Sequence, residues 1–326
     1  MDIHLIVDGV VTEHEPVDLD DLLHARKGIV WVDILSCDAQ AQQVLTEVFA
    51  FHPVAVRSCV ERNRIAKAHA YLDHRLDVLH APHAGAAGHV HYVELDQIVG
   101  PGYVVTVHGP CNEAVDPAVM TRETAAVLER VRAGRLQPET PSDLAHAIVS
   151  SLVRSMEEFV EQLTEEVWRL EKELTSGQRL DPEEFLEELF AVRHGLLAVR
   201  TMADTSRESY ARHELVGERP ADVARYLDDL ADQFERVRGR ANAEWEYLQG
   251  VIDYFRARTE TKMTIAAERL AVIAAVTLPI TAIASVYGMN VIVNTDTKVV
   301  QLIVVLVVML VSSGWILRWA RRQGWW

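Results

Sequence analysis

The stretch Leu270–Val286 reads LAVIAAVTLPITAIASV and carries no charge. It is followed by Tyr287-Gly288-Met289-Asn290, a polar segment to Lys298, and a second uncharged run from Val299 to Leu317. At about 1.5 Å of rise per helical residue, each run approaches the ~20 residues that cross a bilayer's hydrocarbon core. A buried helix of a soluble protein fits poorly, because two such runs lie back to back and VVQLIVVLVVMLV is apolar all round rather than along one stripe. The pattern predicts a helical hairpin in a lipid bilayer. Trp315, Trp319, Trp325 and Trp326 with Arg318, Arg321 and Arg322 form an aromatic and basic collar after the second run, which the positive-inside rule places in the cytoplasm. With two spans, the N-terminus lies there too.

The rest of the chain reads as soluble and acidic. Its 326 residues are 49% hydrophobic with a formal net charge of -16, enough length for a core of its own and the wrong sign for a nucleic-acid binder. MDIHLIVDGV lacks the basic opening of a signal peptide. The 3 cysteines, Cys37, Cys59 and Cys111, fit a reducing cytoplasm.

Up to about residue 110 the chain alternates short β-branched segments with turn residues: Ile3 to Val7, Gly28 to Ile34, Arg75 to His80, His91 to Ile98 and Tyr103 to His108. Leu45, Val48 and Phe49 share a helix face that ends before His52-Pro53. His80, His83, His89 and His91 surround AGAAG, where a hairpin could gather imidazoles. No Cys or carboxylate completes a recognisable ligand pattern, so the expectation is a mobile, polar hairpin loop, with a metal site as the alternative.

From Asp143 the period changes. Leu144, Ile148, Leu152, Met156, Phe159, Leu163, Val167, Leu170 and Leu174 recur every three or four residues between glutamates, a long amphipathic helix stopped near Ser176-Gly177 with a solvated acidic face. Asp181-Pro182-Glu183-Glu184 starts a return helix to about Arg212. After Pro220 a final soluble helix runs unbroken into the membrane, with Leu227, Leu230, Phe234, Val237, Ala241, Trp245, Leu248, Ile252 and Phe255 as its apolar stripe. That stripe needs partners, either the two preceding helices or copies of itself. In the first apolar run, Thr264, Ala267, Ala271, Ala274, Leu278, Thr281 and Ser285 share a face of small or hydroxylated residues. Such a face suits either tight helix packing or a narrow pore, and the periodicity leaves both open.

Tyr-Gly-Met-Asn between the only two spans, preceded by Leu278-Pro279-Ile280-Thr281, resembles the CorA family of divalent-cation transporters, whose signature is Gly-Met-Asn at this place. Trp31-Val32-Asp33, Phe51-His52-Pro53-Val54-Ala55-Val56, Thr106-Val107-His108 and Leu170-Glu171 extend the resemblance over nearly the whole chain. It implies an α+β fold: a cytoplasmic α/β domain over 1–140, a helical pair over 141–219, a stalk over 220–269, a first transmembrane helix over 270–287, an extracellular loop over 288–298, a second transmembrane helix over 299–317 and a cytoplasmic tail over 318–326.

The resemblance further implies a homopentamer with a cytoplasmic funnel in the cell membrane, Gly288, Met289 and Asn290 at the pore mouth, and the face from Thr264 to Ser285 along the pore. Asp253 would be a regulatory Mg²⁺ ligand between subunits, and no organic cofactor is implied. The expected activity is import of Mg²⁺, with Co²⁺ and Ni²⁺, gated by cytoplasmic Mg²⁺. A zinc transporter of the same superfamily, or a non-conducting ion sensor or scaffold, are the alternatives. No nucleophile motif suggests an enzyme. The chain departs from the family pattern in Thr264, where an asparagine is usual, in the weakly charged loop Val291 to Lys298, and in Val56-Arg57-Ser58-Cys59, where Leu and Glu-Asp are usual.

Overall fold

The computed structural model describes residues 1–176, 181–212, 221–288 and 299–322. Two compact units divide the chain, Met1–Gln249 and Gly250–Trp326.

The first unit opens with strands β1 (Asp2–Val7) and β2 (Val10–His14), then helix α1 (Leu19–Ala25) and strand β3 (Ile29–Ile34). Short helices α2 (Ala39–Gln43) and α3 (Pro53–Val60) lead to β4 (Lys67–Ala70), β5 (Arg75–Ala84), β6 (Val90–Gly100) and β7 (Tyr103–His108). Helices α4 (Pro117–Met120), α5 (Arg122–Arg132), α6 (Pro141–Thr175) and α7 (Pro182–Arg212) follow. Then come α8 (Ala221–Gly288), shared between the units, and α9 (Val299–Arg322).

The strands form one 7-stranded sheet in the order β2-β1-β3-β7-β6-β5-β4. Only β3 and β7 pair in parallel, with Trp31 opposite Val104 and Asp33 opposite Thr106; the other neighbours are antiparallel. Side chains alternate between two cores, as a sheet covered on both faces requires. Val30, Val32 and Ile34 pack with Leu45, Ala55 and Cys59 on one side. Ile29 and Trp31 face the other, with residues of α5, α6, α7 and α8.

Two strands were not expected from the sequence. β2 follows Asp8-Gly9, both at positive φ (50° and 78°), the two-residue turn that lets a strand fold straight back so that Val10 pairs with Val7. The signal was therefore present in Asp8-Gly9. β4, KAHA, holds no β-branched residue; it is an edge strand made by pairing with β5 rather than by its own propensity. The helix expected around Leu45 to Phe49 is a helical turn that widens into a π-type turn over Val44–Val48, with Leu45 and Phe49 buried and Val48 half-buried.

The long helices start where their sequence directs. Thr140 accepts from the Asp143 N–H while Asp143 caps the Thr140 N–H, with Pro141 at the first turn of α6. The α6 stripe is buried from Leu144 to Leu174 except for half-buried Leu163, and Leu227, Leu230, Phe234, Val237, Ala241 and Leu248 of α8 are buried in the same unit. Polar contacts fasten this part of α8 to α6 and α7. His146 Nε2 lies 2.7 Å from Asp229, the Tyr247 hydroxyl donates to Glu171 at 2.7 Å, and Arg207 lies 3.3 Å from Glu235. The apolar stripe of α8 up to Leu248 is thus covered within one chain.

Candidate functional site

In the second unit α8 continues through Pro279 to Gly288 without a break. This part of α8, and α9 from Ile303 to Arg322, are long and apolar enough to cross a membrane. Each has one covered stripe. On α8 the less exposed positions are Glu268, Val272, Ala275, Val276, Pro279, Ile280 and Ile283. On α9 they are Val305, Met309, Ser312, Ser313, Ile316, Leu317 and Ala320. Both recur three to four residues apart, as pairing along one side of a hairpin requires.

Thr264, Ala267, Ala271, Ala274, Leu278, Thr281 and Ser285 are all exposed. At 100° per residue their direction lies roughly 140° round the helix from the covered stripe. The small-residue face is therefore not the face that packs within the chain. Leu278 is 66% exposed there, an apolar side chain that water alone would not favour. Thr264 Oγ1 donates to the Glu260 carbonyl at 3.0 Å and Thr281 Oγ1 to the Thr277 carbonyl at 2.9 Å. Spending each hydroxyl proton on its own helix leaves the oxygen lone pairs turned outward as acceptors.

Asp253 lies on the exposed surface of α8, its carboxylate 3.9 Å from Arg256 with both side chains largely in solvent. A lone carboxylate in solvent binds a divalent ion only weakly, so a tight site there needs ligands from elsewhere. Gly288 is the last residue of α8, while Met289 and Asn290 lie outside the described residues.

Among the described residues, no three His, Cys, Asp or Glu side chains are arranged to hold a metal ion. The histidine-bearing hairpin is correspondingly not one loop. β5 and β6 run up to Ala84 and from Val90, so His80, His83 and His91 stand on strands. His80 is 2% exposed and its Nε2 lies 2.8 Å from the Asn63 carbonyl; burial lowers its pKa and keeps it neutral. It belongs to the core. His194 of α7, which no local sequence signal linked to the hairpin, stands 6.4 Å from His89 by ring centres.

Two of the segments quoted above meet in space. Trp31 Nε1 donates to Thr106 Oγ1 at 2.9 Å, and Thr106 Oγ1 donates to Asp33 at 2.5 Å. Trp-Val-Asp and Thr-Val-His are thus the two sides of the parallel β3–β7 pair.

The family model described as CorA-like Mg²⁺ transporter protein matches residues 26–322. The chain belongs to this family. YfjQ of Bacillus subtilis (strain 168), named for metal ion transport, is 22% identical over 294 residues, 87% of this chain and 86% of that protein. The CorA magnesium transporter of Methanocaldococcus jannaschii has the same fold, with a TM-score of 0.82 at 15% identity over 100% of this chain and 99% of that one. Full-length CmaX also shares it, with a TM-score of 0.76 at 16% identity over 98% and 97% of the two chains. This CorA-family chain is a membrane protein and a divalent-cation transporter rather than an enzyme.

Proposed function

We propose that this CorA-family chain imports Mg²⁺, and with it Co²⁺ and Ni²⁺, through the axial pore of a homopentamer in the cell membrane. Both termini lie in the cytoplasm, and cytoplasmic Mg²⁺ closes the pore. The observation that carries this reading is the exposure of all seven residues from Thr264 to Ser285 on one face of α8, turned away from the stripe covered in the chain. Copies arranged about an axis would each turn that face inward, which buries Leu278 and gives the ion a path of hydroxyl and carbonyl oxygens.

Mg²⁺ releases water reluctantly and prefers octahedral oxygen surroundings, so a neutral path suits the hydrated ion. Co²⁺ and Ni²⁺ accept the same octahedral shell. No carboxylate lies between Leu270 and Val286, so selection falls to neutral oxygens, with the Asn290 amides as a ring at the mouth, Gly288 permitting the turn and Met289 fixing it. Passage needs no nucleotide: a divalent ion moving through 100 mV gains about 4.6 kcal/mol. Asp253, exposed on the stalk, would hold Mg²⁺ between subunits and favour the closed state when the cytoplasmic concentration is high.

The test is uptake into liposomes under an inside-negative potential, comparing Mg²⁺, Co²⁺, Ni²⁺ and Zn²⁺, with Asn290→Ala as control. Mg²⁺ uptake that the variant loses supports the reading. Zn²⁺ uptake without Mg²⁺ would make the protein a zinc transporter, and a folded oligomer passing no ion would make it a sensor or scaffold.

A further inference from the structure

Along α9 one face changes character in steps. Val304, Val308, Val311, Trp315, Arg318 and Arg322 recur three or four residues apart and fall within an arc of roughly 80° at 100° per residue. All six are exposed, Trp315 at 70%, and Trp319 beside them is exposed too. This face points roughly 140° round the helix from the covered stripe that ends at Ala320. In water it would leave a row of valines and an indole without a partner. In a bilayer it is matched layer by layer: valine suits the hydrocarbon, and an indole with its polar N–H suits the boundary with the headgroups.

The arginines continue this layering. At 1.5 Å per residue Arg318 and Arg322 stand roughly 4 and 10 Å further along the axis than Trp315. The headgroup layer on each side of the hydrocarbon is about 5–7 Å thick, so both long side chains reach its phosphates. Charge then selects the lipid. The protein carries a formal net charge of -16, yet no Asp or Glu occurs from Val299 to Trp326, where Arg318, Arg321 and Arg322 are the charged side chains. Among the described residues neither Arg318 nor Arg322 has a carboxylate partner. Glu268, the acid bordering the α8 span, belongs to that helix's covered stripe rather than to an open face. A guanidinium fork takes phosphate oxygens in pairs. A zwitterionic headgroup offers that phosphate with its own cation attached, whereas an anionic one leaves the negative charge for the arginines.

We propose that Arg318 and Arg322 hold the headgroup phosphate of an anionic phospholipid, with Trp315 seated against its glycerol and upper acyl chains, in the leaflet nearest the C-terminus. The lipid fixes the depth of α9 and so of the hairpin. This rests on the reading in which copies turn the open α8 face to an axis, because α9 then keeps its own exposed face to the lipid. It is independent of which ion passes the pore.

The test is tryptophan fluorescence of the full-length protein in liposomes of phosphatidylcholine and phosphatidylglycerol at one fixed composition. Bromine, a quencher, is carried on the acyl chains of the first lipid in one batch and of the second in the other. The part of the quenching lost in Trp315→Phe reports the collar. The wild type should be quenched more strongly when phosphatidylglycerol is labelled, with a preference of about fivefold for each arginine that engages it. Arg318→Gln with Arg322→Gln should bring the two batches together, whereas Arg318→Lys with Arg322→Lys, which keeps the charge, should retain the preference. Inorganic phosphate added at constant ionic strength should change nothing. Equal quenching by both labels in the wild type, a preference that survives the glutamine pair, or displacement by inorganic phosphate overturns the proposal. No quenching in either batch overturns it together with the reading that turns this face to the lipid, so the two failures are told apart.

Discussion

Asp33 Oδ1 lies 3.0 Å from His108 Nε2, and this contact joins the only parallel pair of the sheet through a histidine whose side chain is wholly buried. Burial raises the Asp33 pKa, but the hydrogen bond and charge of His108, with Thr106 and Thr124, outweigh it and hold the carboxyl below its ordinary value. A group with a depressed folded pKa contributes stability above its unfolded pKa and loses it as pH falls through the folded one. Asp33→Asn should therefore lower stability by roughly 1.5–3 kcal/mol near neutral pH. The gap to the wild type should close on acidification. Thermal melts of the detergent-solubilised protein across a pH series measure both.

Asp96 presents the opposite case. Its side chain is fully buried, and among the described residues neither carboxylate oxygen has a hydrogen-bond partner by geometry. Burial first, then the Glu94 carboxylate, push its pKa well above the ordinary value, against the smaller effects of Cys59 and Lys67. An acid with a raised folded pKa is most stabilising below its unfolded pKa, and that stability is lost as pH climbs toward the folded value. Asp96→Asn should melt higher than the wild type at pH 8, by about 2–4 °C for each kcal/mol recovered. At pH 4 the difference should vanish. An advantage that grows toward acid pH would contradict this account.

Gly88→Ala tests the close approach of hairpin and helix. The residue would keep φ near +74°, and its Cβ would meet Ala191 at 2.4 Å. The left-handed backbone costs about 1–2 kcal/mol and the overpacking a similar amount. Ala191→Gly removes only the Cβ contact, leaving the Ala191 Cα 2.8 Å away, and itself costs about 0.5–1 kcal/mol inside α7, so in thermal melts Gly88→Ala should cost less in the Ala191→Gly background than in the wild type.

In the transport assay, Asp253→Ala should weaken closure by cytoplasmic Mg²⁺, so that uptake persists at internal concentrations that silence the wild type. Asn290→Ala should abolish selective conduction. Inhibition by Mg²⁺ unchanged in the first variant would remove Asp253 from the gate.

Replacing Leu278 with Ala should increase Mg²⁺ flux several-fold if its exposed side chain narrows the pathway, measured in the same liposomes. An unaltered rate with an intact oligomer would move the constriction elsewhere on α8.

The sequence alone determined the elements whose signals are local and repeated: the strands β1, β3, β5, β6 and β7, the limits of α6 and α7, the unbroken α8 and the two apolar runs. Periodicity, caps and prolines lie within a turn or two of the structure they dictate, and Tyr287 to Asn290 between two spans pointed to the family. Only the tertiary structure decided what depends on residues far apart. It brought Trp31, Asp33, Thr106 and His108 into one network, placed His80 in the core, and set His194 beside the hairpin. It also separated the covered stripe of Val272 and Pro279 from the open face of Ala271 and Leu278. A period of 3.6 residues tells which residues share a face, but which face is covered depends on the partner helix, and that is fixed only when the chain has folded back on itself.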